Sequence, residues 1–266
     1  MLQIILTLAI YMVLVIPMGA YMYHIATNKK TFADPVFDRV DGAIYKVCRI
    51  KREGMTWKQY ALHLVMTNAV MVLVGYAILR FQGFLMANPN GIEGMEPTLS
   101  FNTIISFMTN TNWQAYSGEN ALSYFTQFMG LTVQNFVSAA TGIAVLFAFI
   151  RGLIKVKSQG LGSFWVDLTK IILYILLPIC LVMTVLLVSQ GVVQSFAPAE
   201  TVDLLEPIAV DSEGNILEDA VIDGDKVLVE GAVMEGAVIV RKQIVPLGPA
   251  ASQISMKQLG TNGGGF

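Results

Sequence analysis

Charge is scarce in this sequence. Lys, Arg, Asp and Glu make up 14% of its 266 residues, against about 25% in an ordinary soluble domain, which argues against a water-soluble enzyme. A positive excess is missing too. The 17 Lys+Arg and 19 Asp+Glu leave a formal net charge of −2, so there is no electrostatic footprint for nucleic acid. Cysteine is nearly absent. Cys48 and Cys180 stand far apart with no CxxC or Cys/His spacing, which indicates neither a zinc site nor a disulfide framework. No GK[ST] phosphate loop and no DKTGT-like phosphorylation motif occurs, so these residues hold no ATP chemistry of either kind.

What is abundant is apolar surface: 55% of the residues are hydrophobic, and they are gathered into runs. Leu2–Tyr23, Tyr60–Leu79, Gln127–Ile150 and Ile171–Val193 are 22, 20, 24 and 23 residues without a charge. A helix of about 20 residues crosses the hydrocarbon core, so all four predict transmembrane helices. The first lacks a basic n-region and an A-x-A cleavage site. It reads as a retained helix with a local kink at Pro17, not as a signal peptide.

Basic residues set the orientation. Residues 24–60 carry eight Lys/Arg, the 151–160 connection adds Arg151, Lys155 and Lys157, and 82–126 has none. The positive-inside rule places 24–60 and 151–160 in the cytoplasm, and 82–126 and the N-terminus outside. The loop after the fourth helix is then also outside. Its Val/Ile alternation (KVLVEGAVMEGAVIVRK) predicts a small extracytoplasmic β-hairpin. The basic 29–58 stretch, with Trp57 and Tyr60, reads as an interfacial segment facing anionic membrane lipid. Asp167 and Lys170, three apart, read as an ion pair.

Two segments fit neither spanning helix nor loop. Phe101–Met108 is apolar and helical in pattern, but eight residues reach only ~12 Å. It reads either as an amphipathic surface helix or as a re-entrant half-helix followed by irregular backbone at Thr109–Gln114. Ala250–Leu259 is a second short helix, followed by Gly260–Phe266. Setting Thr111-Asn112 on Thr261-Asn262 makes the two an internal repeat. Thr109, Thr111 and Thr261 offer hydroxyl oxygens. Asn110, Asn112 and Asn262 can brace the loops by hydrogen bonds, and Gln114 is a brace or a ligand. Gly260 opens the second loop. Gly263, Gly264 and Gly265 can adopt φ > 0 and turn successive carbonyls toward one axis, where they replace the hydration shell of an ion. Neither loop contains a carboxylate, which argues against a divalent-cation ring. Gln134, Asn135, Ser138 and Thr141 lie near small residues on the third helix and read as polar glue between packed helices, with pore lining the alternative.

The strings NTNWQAYSGE, SAATGIAV and LGTNGGGF resemble those of the potassium-binding A subunits of the bacterial Kdp potassium-transporting ATPases, and the resemblance covers nearly the whole chain. It implies an all-α polytopic membrane fold: here, four transmembrane helices plus two re-entrant pore loops of potassium-channel type. Residues 1–59 would be an extra first helix and cytoplasmic loop. Residues 60–150 would be a first membrane-pore-membrane repeat, and 151–266 an incomplete second one. It further implies a bacterial inner-membrane location and potassium as the transported ion. The partners would be a P-type ATPase B subunit that hydrolyses ATP, small C and F subunits, and membrane lipid. A Trk/Ktr-like transporter of the same superfamily is the alternative. The chain is expected to be the N-terminal part of such a subunit, with two of four filter walls.

Overall fold

The computed structural model describes residues 2–154 and 160–264. Lys155, Lys157 and Gly265, singled out above, lie outside the described residues. Two compact units are present: Ser195–Gly248, and the remainder of the chain. In the larger unit four helices are long and apolar enough to cross a membrane, at Leu2–Ala26, Trp57–Phe84, Thr126–Ile154 and Phe164–Ser189. Their outward faces are rows of bare aliphatic side chains such as Val13, Ile16, Leu73 and Val185, a surface that water does not tolerate and lipid does.

The first span is helix α1 (Leu2–Ala26), continuous through Pro17. A short amphipathic α2 (Asp34–Val47) follows. Helix α3 (Trp57–Phe81) starts on a reciprocal capping box, Thr56 with Gln59, which satisfies two orphan N–H groups at once. Helix α4 (Pro97–Met108) begins four residues before the expected Phe101. Pro97 sits in the first turn, and the Glu96 carboxylate accepts the Leu99 N–H at 2.7 Å. Those backbone hydrogen bonds, from Thr98 and Leu99, hold the Glu96 carboxyl below its usual range. A single turn, α5 (Gly118–Ala121), leads to the third span.

Both later spans contain a π-helical turn. Residues Thr126–Thr132 run into α6 (Val133–Ile154). Helix α7 (Phe164–Lys170) passes through Ile171–Leu176 into α8 (Leu177–Ser189). The second π turn has a visible cause. Pro178 has no N–H for the carbonyl four residues back. That carbonyl, of Tyr174, instead accepts the Tyr21 hydroxyl of α1 at 2.7 Å. A freed backbone group at membrane depth must find such a partner, and here it ties the first helix to the fourth.

At the end of the bundle where α1 and α6 finish, Arg151 makes a forked pair with Asp167, at 2.6 and 2.9 Å. It also donates to the carbonyls of Ala26 (2.7 Å) and Leu161 (3.0 Å). Tyr60 reaches Asp167 at 3.0 Å and the Ala144 carbonyl at 2.9 Å. The expected Asp167–Lys170 pair is therefore corrected. Spacing along one helix lost to a guanidinium that reaches the same carboxylate in a forked geometry, and Lys170 donates to Asn28 instead.

The smaller unit is more than a local hairpin. Strand β1 (Glu200–Val210) pairs antiparallel with β5 (Val238–Val245), with a shift in register between Asp203 and Ile208. Strands β2 (Val221–Asp223), β3 (Lys226–Val229) and β4 (Ala232–Val233) form a second small sheet. The β3–β4 turn, Glu230-Gly231, has φ of 50° and 81°, the positive values that a two-residue hairpin needs. Helix α9 (Ala250–Leu259) then completes the larger unit. Its first N–H groups are taken by the segment after α8: Ala251 donates to the Val193 carbonyl and Ser252 to the Gln194 side chain, both at 2.9 Å.

Candidate functional site

The two short helices α4 and α9 end in loops that the fold brings side by side. Each exit has the same backbone pattern. Thr109 and Gly260 each donate four residues back, to Ile105 and Met256. Asn110 and Thr261 each donate three back, to Phe107 and Gln258. Asn112 and Gly263 each donate six back, to Ser106 and Lys257. The positive φ values coincide in the same pairs: Asn110 59° with Thr261 64°, and Asn112 54° with Gly263 73°. A β-branched residue at φ > 0 is an outlier, and such strain collects at functional sites.

These pairs correct the internal repeat by one residue. The matching letters Thr-Asn put Thr111 on Thr261, whereas the backbone puts Asn110-Thr111-Asn112 on Thr261-Asn262-Gly263. At the second left-handed position Asn112 and Gly263 are interchangeable, because both residue types accept φ > 0, so identical letters occupy non-equivalent places. Among the described glycines of this run, Gly263 is the one that uses φ > 0, while Gly264 has a different constraint. A Cβ on Gly264 would lie 2.6 Å from the Asn112 Cβ and 2.7 Å from its carbonyl oxygen, so the second loop passes too close to the first for any side chain.

Amides hold the loops together. Asn110 donates to the Gly260 carbonyl (3.3 Å) and approaches the Thr261 hydroxyl (3.4 Å), and its own oxygen accepts from Ser138 of α6 (3.1 Å). Thr109 and Thr111 share a hydroxyl contact at 3.0 Å. Gln253 of α9 donates to Gln127 of the π turn at 2.9 Å. Gln114 flanks the crossing, its Oε1 3.0 Å from where a Gly264 Cβ would sit. Burial pushes the nearby Tyr116 phenol up to about 12.

The C-terminal ends of both short helices line one cavity of about 420 Å³, which includes Met108, Thr109, Asn110, Leu259, Gly260 and Thr261. Helix C-termini carry partial negative charge and stabilise cations. Asn68 and Thr141 lie on the cavity wall, and their buried Oδ1 and Oγ1 atoms have no hydrogen-bond partner among the described residues. Among the described residues no three His, Cys, Asp or Glu gather as a metal cluster. The donors at hand are backbone carbonyls, hydroxyls and amides, a set for an ion that is dehydrated without being fixed by a carboxylate.

Four membrane-length helices define the class, a polytopic helical membrane protein. The chain belongs to the family described as the potassium-transporting ATPase A subunit, which matches residues 5–266. It is similar to proteins named potassium-transporting ATPase potassium-binding subunit. One, from Clostridium botulinum (strain Eklund 17B / Type B), is 48% identical over 98% of this chain and 41% of its own length. Another, from Clostridium perfringens (strain ATCC 13124), is 49% identical over 100% and 42%. A third, from Listeria monocytogenes serotype 4a (strain HCC23), is 49% identical over 96% and 40%. The chain thus spans about two fifths of the length of these relatives.

Asn135 is a packing residue by its sequence context, with pore lining the alternative. Its contacts go further: its Oδ1 accepts Asn112 at 2.7 Å and Asn262 at 2.9 Å. An amide buried in a membrane helix next to two asparagine-bearing loops was the available signal.

Proposed function

We propose that this segment supplies two adjacent walls of a potassium filter, in the channel-like subunit of an ATP-driven uptake system of the bacterial inner membrane. In this reading residues 60–150 are one membrane-pore-membrane repeat and 151–266 begin the next. Helices α4 and α9 enter from outside and turn back as half-helices. Extracytoplasmic K⁺ exchanges hydration oxygens for those of residues 109–112, 114 and 260–265. It then passes toward a P-type ATPase B subunit, with small C and F subunits and lipid completing the assembly. The observation that carries the reading is the shared backbone pattern of the two loops, one beside the other, each at the C-terminus of a helix too short to span.

Topology is the first test. Among the described residues the free thiols are Cys48, exposed, and Cys180, buried. With Cys48→Ser as background, Glu93→Cys reacts with an impermeant thiol reagent from outside, and Glu53→Cys does not. Both positions are exposed. The native Cys48 is equally protected in the unmodified chain. Reversed labelling would put the loops on the cytoplasmic side and end the re-entrant reading. A second expectation follows from having two walls: residues 1–266 expressed alone give no potassium-selective flux. Selective uptake by the isolated chain, measured with a potassium tracer, would contradict a requirement for four walls.

A further inference from the structure

We propose that Asn135 is a positioning residue that sets the spacing between the two loops, and through it the choice among alkali cations. The inference rests on the filter reading. Asn135 lies on α6 two residues past its first, immediately after the π turn Thr126–Thr132. It is 1% exposed. One atom, its Oδ1, accepts the side-chain amide of Asn112 from the first loop (2.7 Å) and that of Asn262 from the second (2.9 Å). The two loop amides are therefore no further apart than the sum of those lengths. The same residue closes the figure on its other side. Its Nδ2 donates to the Gly264 carbonyl at 3.4 Å, where Asn112 Nδ2 also points at 3.3 Å, and its backbone oxygen lies 3.4 Å from Asn262 Nδ2.

The consequence is chemical. Selection by a ring of oxygens depends on how far apart the walls stand and how firmly they are held. A shared acceptor couples the walls, so neither moves without the other. Asn112 is itself the residue that Gly264 crosses most closely, so the brace acts at the point of nearest approach. Gln134, the neighbour of Asn135, points elsewhere: it donates to the Met71 carbonyl of α3 at 3.0 Å, an ordinary helix-to-helix contact.

The test uses a complete A subunit that contains these 266 residues, assembled with its ATPase partner. The readout is the half-saturating concentration for uptake of potassium, rubidium and sodium, per assembled complex. Asn135→Leu removes the shared acceptor. It is expected to raise half-saturating potassium about tenfold or more, the scale of losing buried hydrogen bonds, and to narrow the preference over sodium. Asn135→Asp keeps both acceptor bonds while setting an oxygen against the Gly264 carbonyl and a carboxylate beside the loops, so its shift carries a charge contribution that Asn135→Leu lacks. Asn262→Ala gives a shift of its own but adds little on top of Asn135→Leu, because its partner is already gone. If Asn135→Leu does not assemble, Asn262→Ala carries the test. A purely structural role would lower the amount of complex and leave the ion order unchanged. Unchanged ion order in assembled Asn135 and Asn262 variants, with Gly264→Ala altering it, overturns the brace and leaves the filter standing. Unchanged order in all of them, Gly264→Ala included, overturns both.

Discussion

Adding one methyl group at Gly264 should raise half-saturating potassium at least about tenfold and weaken discrimination against sodium in a complete subunit. The cause is collision, not backbone strain. The new Cβ would stand 2.6 and 2.7 Å from Asn112 and 3.0 Å from Gln114 Oε1, well inside van der Waals contact. Two of those three atoms belong to Asn112, which is pinned to Asn135. The first loop must therefore shift when the second is altered. Gly263→Ala makes the contrast. Its φ is 73° and nothing lies within 4 Å of the added carbon, so its cost is conformational, roughly 1–2 kcal/mol, and confined to the second loop. Uptake titrations with potassium and sodium on both variants separate the two mechanisms. Equal midpoints in the wild type and Gly264→Ala would show that the close crossing has no bearing on ion binding.

The second large effect lies away from the two loops. Replacing Arg151 by Ala, or Asp167 by Asn, should cost roughly 3–5 kcal/mol, the usual penalty for breaking a buried pair by removing one partner. The side chains are 14% and 7% exposed, so solvent screens the pair little. Arg151 also holds the last carbonyl of α1 and the Leu161 carbonyl, four hydrogen bonds in all from two nitrogens of one planar fork, more than the three donors of a lysine ammonium supply. Arg151→Lys is thus expected to fall close to Arg151→Ala, measured as the thermal midpoint of the detergent-solubilised protein. Wild-type stability in Arg151→Ala would mean that the bundle end is held by apolar packing alone.

Much of the bundle was legible because each span is a long uncharged run, and length alone decides such a question. The beginnings were less so. Helix α4 starts at Pro97 because of Glu96 and Pro97, a start signal outside the apolar window. The π turns left no mark in periodicity, although Pro178 marks the carbonyl that Tyr21 takes. Asp167 was assigned to Lys170 by local spacing, while its partner lies sixteen residues back. In the smaller unit the Glu230-Gly231 turn was readable. The partner of β5 is β1, some thirty residues upstream, and no local pattern reports such a pairing. At the site, the residue types were recognisable but their register was not. Letters aligned Thr111 with Thr261, whereas backbone sign aligned Asn110 with Thr261. For Asn135 the sequence favours glue between helices over pore lining, and its two loop partners, Asn112 and Asn262, lie 23 and 127 residues away along the chain.

The most direct test of the central claim is to see the ion. Thallium is a heavy monovalent cation close to potassium in size, and a structure of the complete subunit in thallium would carry its scattering signal. The account predicts peaks beside the backbone and hydroxyl oxygens of residues 110–112 and 261–263, lost when excess potassium is added. Peaks elsewhere in the subunit with none at these two loops would contradict it.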